Sequence, residues 1–234
     1  VAGNTVLGET ALDASVSGGE NVAIGKNSLT ALTSGARNTS VGTDGGANLT
    51  TGSDNVGVGS AALNSLTTGS NNTALGRSAL TANTTASNNT GLGFNALTAN
   101  TTGTSNVAVG YAALDANTTA DNNTAVGHNS LGVCTEGHSN TAVGQGSAEN
   151  ITTGDHNVAI GRNSLGSQTT ADNNVAIGQS ALFANTTGES NVAVGREAGH
   201  DITTGTGNTL VGNAAGDKIT TAEYNAVFGA GALG

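Results

Sequence analysis

Residues 157–173 read NVAIGRNSLGSQTTADN and residues 174–190 read NVAIGQSALFANTTGES, so two successive blocks of seventeen residues open on the same five letters. The period extends along the whole chain. Asparagine recurs every seventeen residues from Asn4 to Asn225, and glycine follows four residues after each one, from Gly8 to Gly229. All fourteen copies keep this spacing without an insertion or a deletion. A fixed period of this kind is the sequence signature of a repeat architecture.

The composition of each block predicts short strands joined by bends. In NVAIG at residues 21–25, β-branched residues alternate with small ones, which indicates a strand. The threonine pair at the thirteenth and fourteenth positions, such as Thr84-Thr85, predicts a second short strand, and the glycines at the fifth and fifteenth positions predict bends. Coil length must stay constant if each strand bonds to its equivalent one coil away. We therefore predict an all-β fold, a parallel β-solenoid (β-roll) of 17-residue coils, continuous over residues 1–234 with about 13.5 coils.

Two positions of the block are predicted to fill one interior slot. Most blocks have Leu at the ninth position, and four of these have Asn at the twelfth, as in Leu80 with Asn83, whereas blocks with a small ninth residue carry an aliphatic twelfth residue. Leu29 with Leu32 and Leu63 with Leu66 depart from this exchange, since both positions are leucine. These compensating pairs are Gly46 with Leu49, Ala148 with Ile151, Gly199 with Ile202 and Gly216 with Ile219. A constant core volume explains the exchange. Cys134 occupies a twelfth position, so we expect a buried, inert thiol.

The overall composition disfavours several functional classes. The chain has 37 glycines, no proline, methionine or tryptophan, 2% aromatic and 9% charged residues, which fits neither an ordinary globular core nor a disordered chain. A net charge of −10 disfavours nucleic acid and anionic membranes as partners, since both attract basic surfaces. No apolar run is long enough to span a bilayer, and the chain opens and closes within a block, so we expect a segment of a longer fibre protein.

Stacking of the coils would turn each position into a column. The asparagine column is predicted to form a ladder of side-chain amides that satisfies buried polar groups, as in cross-β stacks. Its members are Asn21, Asn38, Asn55, Asn72, Asn89, Asn106, Asn123, Asn140, Asn157, Asn174, Asn191 and Asn208. The strand itself has small residues on one face and apolar residues at the second and fourth positions on the other. Both faces therefore suit burial, one inside the coil and one against a neighbouring protomer.

Two columns are candidate ligand sites. At the sixth position Arg77, Phe94, Tyr111 and His128 stand on consecutive rungs, where planar groups could stack on sugar rings or simply on one another. At the sixteenth position a run of titratable residues includes a candidate metal site. Its members are Asp121, His138, Asp155 and Asp172, followed by Glu189. Like charges at strand spacing repel, so this column invites a cation, although a solvated surface is the simpler interpretation.

Catalytic motifs are not found in the sequence. It contains no HExxH, no Walker A loop and no GxSxG, and the four histidines fall in different columns. We therefore expect neither an enzyme nor a cofactor. Asn83-Thr84-Thr85 and its equivalents match glycosylation sequons, a weak signal in a chain so rich in Asn and Thr.

The strand motif resembles that of a known family. NVAIGKNS at 21–28, NVAIGRNS at 157–164 and NVAIGQSA at 174–181 look like the head repeats of trimeric autotransporter adhesins of the YadA-like kind, with Asn where that family often has Ser. The fuller unit, NTALGRSALTANTT at 72–85, is also similar to repeat arrays of phage tail-fibre-like proteins. The resemblance implies a left-handed β-roll, a homotrimer, a bacterial surface location and a role in adhesion.

These observations favour a structural and adhesive extracellular fibre, a rigid rod at a cell surface or on a virion. Alternatives are a phage tail-fibre shaft and a self-assembling filament, since all three use the same rod. A remote alternative is an ice-binding solenoid, but adjacent threonines alternate between faces. The expected partners are further copies of the chain, as a homotrimer or filament, and a host-surface glycan or protein, with no nucleic acid and no membrane contact.

Overall fold

Each block folds into one coil that contributes a single three-residue strand. The computed structural model describes residues 3–233 and contains fourteen strands. The first seven are β1 (Thr5–Leu7), β2 (Val22–Ile24), β3 (Thr39–Val41), β4 (Val56–Val58), β5 (Thr73–Leu75), β6 (Thr90–Leu92) and β7 (Val107–Val109). The other seven are β8 (Thr124–Val126), β9 (Thr141–Val143), β10 (Val158–Ile160), β11 (Val175–Ile177), β12 (Val192–Val194), β13 (Thr209–Val211) and β14 (Ala226–Phe228). The prediction of an all-β chain is confirmed.

The chain divides into two compact units, one up to Ala120 with β1–β7 and one from Asp121 onward with β8–β14. Within each unit the strands are parallel and pair with the residue seventeen positions on, as Val22 does with Thr39 and Val158 with Val175. The same register holds along the other described pairs of each unit. The parallel β-solenoid with 17-residue coils is therefore confirmed. One continuous solenoid over residues 1–234 stays a prediction.

The strand places its middle residue inside the coil and its two ends outside. In β10, Ala159 is fully buried, whereas Ile160 is 38% exposed. The period of two along a strand requires this alternation. Small residues fill the inner position because the interior of so short a coil is narrow, and β-branched or aliphatic residues stand on the outer face.

The glycine that follows each strand is required for two separate reasons. Gly76 has a φ of +138°, a conformation that side-chain-bearing residues rarely adopt. A Cβ at Gly76 would also lie 2.4 Å from the carbonyl oxygen of Gly93 in the next coil. The fifteenth position differs, since Gly52 has no positive φ and is restricted by space, with the carbonyl oxygen of Gly69 at 2.1 Å and Leu49 Cδ1 at 2.8 Å from where its Cβ would lie. Of the two predicted bends, the one at the fifth position is found at Gly76, and Gly52 does not lie in a bend.

The predicted second strand at the threonine pair is wrong, because Thr84 and Thr85 form a bend. Coils do bond to one another here, as Thr67 N–H donates to Thr84 O at 2.7 Å. In the coil before, however, one carbonyl serves two donors: Thr67 O accepts from the N–H groups of both Thr50 and Thr51, at 2.9 and 3.3 Å. A strand needs donors and acceptors to alternate along the chain, and this shared acceptor breaks the alternation.

Three left-handed residues turn each coil. In residues 72–88 they are Ser78 (φ 59°), Leu80 (φ 52°) and Asn88 (φ 64°), at the seventh, ninth and seventeenth positions. Polar residues with short side chains tolerate this conformation, but it is strained for leucine. Leu80 is fully buried, so its apolar contacts offset the strain. The glycines alone do not predict these turns.

The shared interior slot is confirmed where the ninth residue is small, whereas Leu29 with Leu32 and Leu63 with Leu66 are all buried, so two coils accommodate both side chains. A Cβ at Gly199 would lie 3.3 Å from Ile202 Cδ1 and 2.6 Å from Leu210 Cδ1, so the space left by the missing leucine is already occupied. Leu210 is a large inner-strand residue, and it also packs against Gly216 in its own coil, where a Cβ would lie 2.9 Å from Leu210 Cδ2. Cys134 is fully buried, and burial raises the pKa of its thiol to about 11, as expected for an inert cysteine.

Candidate functional site

The asparagine column runs along the inside of each unit and is hydrogen-bonded at every described rung. Asn140 Nδ2 donates to Gly154 O at 2.8 Å, and its Oδ1 accepts from the backbone N–H of Asn157 at 2.9 Å. All twelve predicted members, Asn21 to Asn208, donate in this way to the carbonyl fourteen residues on. Each side chain thus bonds its own coil to the next, and these groups are buried away from any ligand.

A shorter set of buried amides stands at the twelfth position. Asn83 Oδ1 accepts from Ala86 N–H at 3.1 Å, and Asn185 makes the same contact with Gly188 at 2.9 Å. The sequons that begin at these asparagines are therefore closed to glycosylation in the folded chain, because the acceptor amides of Asn83, Asn100, Asn117 and Asn185 are buried.

The sixth-position residues form an exposed corner immediately after each strand. Arg77 Cζ lies 5.7 Å from the Phe94 ring centroid, and the Phe94 and Tyr111 rings stack at 5.6 Å with 13° between their planes. His128 occupies the same position in the second unit and is exposed. In the first unit the ring faces contact each other, so a sugar would meet ring edges rather than open faces. This arrangement agrees with mutual stacking; binding of a ligand stays a prediction.

The acidic sixteenth-position column has a structural use that sequence analysis missed. Asp155 Oδ1 accepts from His138 N–H at 2.6 Å, and Asp172 Oδ1 accepts from Asp155 N–H at 2.7 Å. His138 Nδ1 accepts likewise from Asp121 N–H at 2.9 Å. These side chains point along the stack toward separate amides, and residues 3–233 contain no group of three or more His, Cys, Asp or Glu arranged to hold a metal. The sequence contained a usable signal, because short side chains with an acceptor oxygen recur at the sixteenth position. Serine accepts there in the same way, as Ser70 Oγ does from Ser53 N–H.

The thirteenth and fourteenth positions, which are both threonine in most coils, have different environments. The thirteenth-position hydroxyl donates to the next coil, as Thr152 Oγ1 does to Thr169 O at 3.1 Å, whereas the fourteenth-position residue, such as Thr153, is exposed. Only one of the two hydroxyl columns is therefore presented to solvent.

The outer side of the strands is an uncharged surface in both units. We call it the strand face; it is formed by the second and fourth positions of each block, which are the first and last residues of each strand. The second position is Thr, Val or Ala, and the fourth is aliphatic from Leu7 to Val211 and then Phe228. Leu75 and Leu92 in the first unit are 43% and 39% exposed, and Ile177 in the second is 37% exposed. An apolar surface that repeats at every strand is unusual for a soluble monomer and is typical of an interaction surface.

No known family model, curated protein or solved structure matches this chain. Within residues 3–233 there is no pocket, and no helix is long and apolar enough to cross a membrane. The resemblance to adhesin head repeats therefore rests on the motif alone.

A second aromatic corner, in the second unit, was not predicted. Phe183 and His200, seventeen residues apart at the tenth position, stack at 5.4 Å with 16° between their planes. His200 Nδ1 lies 2.7 Å from Asp201 Oδ1, and this contact lowers the pKa of the Asp201 carboxyl. Lys218 Nζ lies 3.7 Å from the other oxygen of Asp201. Reading the tenth position as a column, as was done for the sixth, would have found this corner.

Proposed function

We propose that this chain is a structural segment of an extracellular adhesive fibre and that it works as a homotrimer of left-handed coils. The observation that carries the proposal is the strand face, because it leaves aliphatic side chains such as Ile160 and Ile177 in solvent at regular intervals. Burying that apolar surface against further copies would stabilise the assembly by about 25 cal/mol per Å². A partner with the same rung spacing fits such a surface better than an irregular one.

The bonding between coils supports a mechanical role. Within each unit a coil is joined to the next by strand hydrogen bonds, by the buried asparagine column and by the thirteenth-position threonine hydroxyls. Bending such a stack would break several of these bonds at one rung. A stiff spacer that holds an adhesive end away from a cell or virion needs this property.

The resemblance to adhesin head repeats supports a bacterial cell surface and a host glycan or protein as the final target. A phage tail-fibre shaft or a self-assembling filament would use the same stiffness and the same strand face, so both are kept as alternatives. The aromatic corner at Phe94 and Tyr111 is the proposed contact for a glycan.

The test is the size and binding of the purified chain. Sedimentation equilibrium at micromolar concentration should give three times the 22.4 kDa of one chain, and Ile160→Glu with Ile177→Glu should shift the species toward monomer. The control is Thr153→Glu, a charge added on the exposed fourteenth position of the same unit. A monomer at every concentration would contradict the oligomer. Adhesion is tested by incubating host cells with fluorescent beads coated with the chain. Coated beads that bind no more than uncoated beads would contradict the proposed adhesive role.

A further inference from the structure

We infer that charges at the two edges of the strand face pair between neighbouring copies and so set a parallel, in-register association. The basic edge is the sixth position, which follows each strand, and the acidic edge is the sixteenth and seventeenth positions, which precede it. The inference rests on the proposed self-association and adds its orientation and register.

The basic edge concentrates the few cations of an acidic chain. Four of the six Lys and Arg residues stand at the sixth position, although the net charge is −10. They are Lys26, Arg77, Arg162 and Arg196, and His128 stands in the same column. Arg162 has no ion pair with any of the residues 3–233, and Arg196 contacts only the adjacent Glu197, at 3.0 Å. Lys26 pairs with Glu9 of the same column at 3.1 Å, so the charge available for another molecule is that of Arg162 and Arg196.

Acidic residues stand at the other end of the same strands. Five strands are followed by a basic residue or His128, and four of those five are preceded by a carboxylate. The four combinations are Glu20 with Lys26, Asp121 with His128, Asp155 with Arg162 and Glu189 with Arg196. Asp54, which has no such counterpart, bonds to Arg37 at 2.6 Å. Asp155 and Asp172 each also accept from the backbone amide one coil before, whereas in Glu189 with Arg196 the carboxylate makes no such bond to residues 3–233.

The two edges cannot satisfy each other within one coil. Between Glu189 and Arg196 lie Ser190, which is left-handed (φ 58°), Asn191, the strand β12 and Gly195. The three-residue strand alone spans about 10 Å at about 3.3 Å per residue, which already exceeds ion-pair distance. A pairing between copies is the arrangement that brings opposite charges together.

Symmetry then selects one orientation. If two strand faces meet with their stacks parallel, rotation about an axis along the stack places the acidic edge of one copy against the basic edge of the next, at the same height. If the stacks are antiparallel, rotation about an axis along the strands places acid against acid and base against base. Exposed ion pairs add little affinity each, but like charges repeated along an interface discriminate strongly between orientations. The edge charges therefore favour the parallel, in-register form and oppose the antiparallel one.

The experiment uses the pair in which both side chains are exposed and neither bonds to the coil backbone, Glu189 and Arg196. In low salt, Arg196→Glu alone and Glu189→Arg alone should each raise the dissociation constant of the assembly on the order of tenfold, because each reversal replaces an attraction by a repulsion at every interface of the assembly. The double variant, which has the wild-type net charge, should restore association. Glu136→Arg, an equal charge change at an exposed fourteenth position away from both edges, should leave it unchanged.

Orientation is read by cross-linking. In Arg196→Lys, a carbodiimide should join Lys at 196 of one copy to Glu189 of another, and mass spectrometry would identify that peptide pair. A disulfide between two copies of Arg196→Cys, without the first cross-link, would indicate antiparallel stacks and overturn the inference. Assembly of the wild type with no effect of either single reversal would also overturn it while leaving the proposed fibre intact. A wild type that never associates would overturn the proposed homotrimer and, with it, the edge pairing.

Discussion

Removing one rung of the asparagine column should destabilise the fold far more than its size suggests. In Asn140→Ala, the backbone N–H of Asn157 loses its acceptor at 2.9 Å and Gly154 O loses its donor at 2.8 Å, both inside the coil. Each buried group left unsatisfied costs about 1–3 kcal/mol, so the variant should lose roughly 2–6 kcal/mol. Natural domains have about 5–15 kcal/mol in total, so this single change would remove a large part of the stability.

Guanidinium unfolding followed by far-UV circular dichroism gives the change in free energy, and hydrogen exchange gives its location. The amide of Asn157 should exchange much faster in the variant, whereas amides several coils away within the same unit should change less. Thr153→Ala, at an exposed position of the same coil, should change stability by less than about 0.5 kcal/mol. If Asn140→Ala matched that control, or if the Asn157 amide stayed protected, the column would not hold the coils together as argued.

Three further outcomes follow from other columns. Gly76→Ala should cost several kcal/mol or prevent soluble expression, because φ is +138° and the new methyl would meet Gly93 O at 2.4 Å. Thermal unfolding checks this against Gly57→Ala in the same unit, where φ is not positive, the nearest atom to the new methyl is Leu63 Cδ1 at 3.4 Å, and other coils already have alanine. Since burial raises the pKa of Cys134 from 9.0 to about 11, the folded state favours the thiol, and that contribution should be lost as pH rises from about 9 to 11. Cys134→Ala should remove this part of the pH dependence, which a series of denaturant titrations would detect. Tyr111→Ala should abolish any glycan-array signal if the aromatic corner binds sugars, and an unchanged signal would place binding elsewhere.

The repeat predicted the fold because its period is visible without any knowledge of contacts. Constant spacing of asparagine and glycine implies that equivalent residues stack, and stacking implies parallel strands in register. The interior slot was predictable for the same reason: the exchange of Gly199 and Ile202 for a leucine and an asparagine shows two positions sharing one volume. The direction of each buried amide was not predictable, because it depends on where the fifteenth-position carbonyl points.

The left-handed turns were harder to predict, because packing between coils, rather than the preference of each residue, stabilises them. Leu80 has a φ of 52°, which leucine alone would avoid, and it is held there by burial between the coils above and below. The threonine pair failed as a strand for a related reason, since β-propensity favours Thr but Thr67 O accepts from two donors at once. Short polar residues at the seventh and seventeenth positions, such as Asn95 and Asn88, were a usable signal for left-handed turns.

Columns in a solenoid divide according to whether their side chains are already paired with the next rung. The Asn140 amide, the Thr152 hydroxyl, the Asp155 carboxylate and the Phe94 ring each have a partner one coil away, so an external ligand would have to compete with that contact. The aliphatic fourth position has no such polar partner to lose, and Arg162 has no ion pair with the described residues. A surface that is both apolar and repeated, with charge available at its edge, is best buried against another copy of the chain with the same rung spacing, as we propose. The residues that remain unpaired thus support the proposed association, and the Asp155 and Asp172 contacts are those that a cation at the sixteenth-position column would have to compete with.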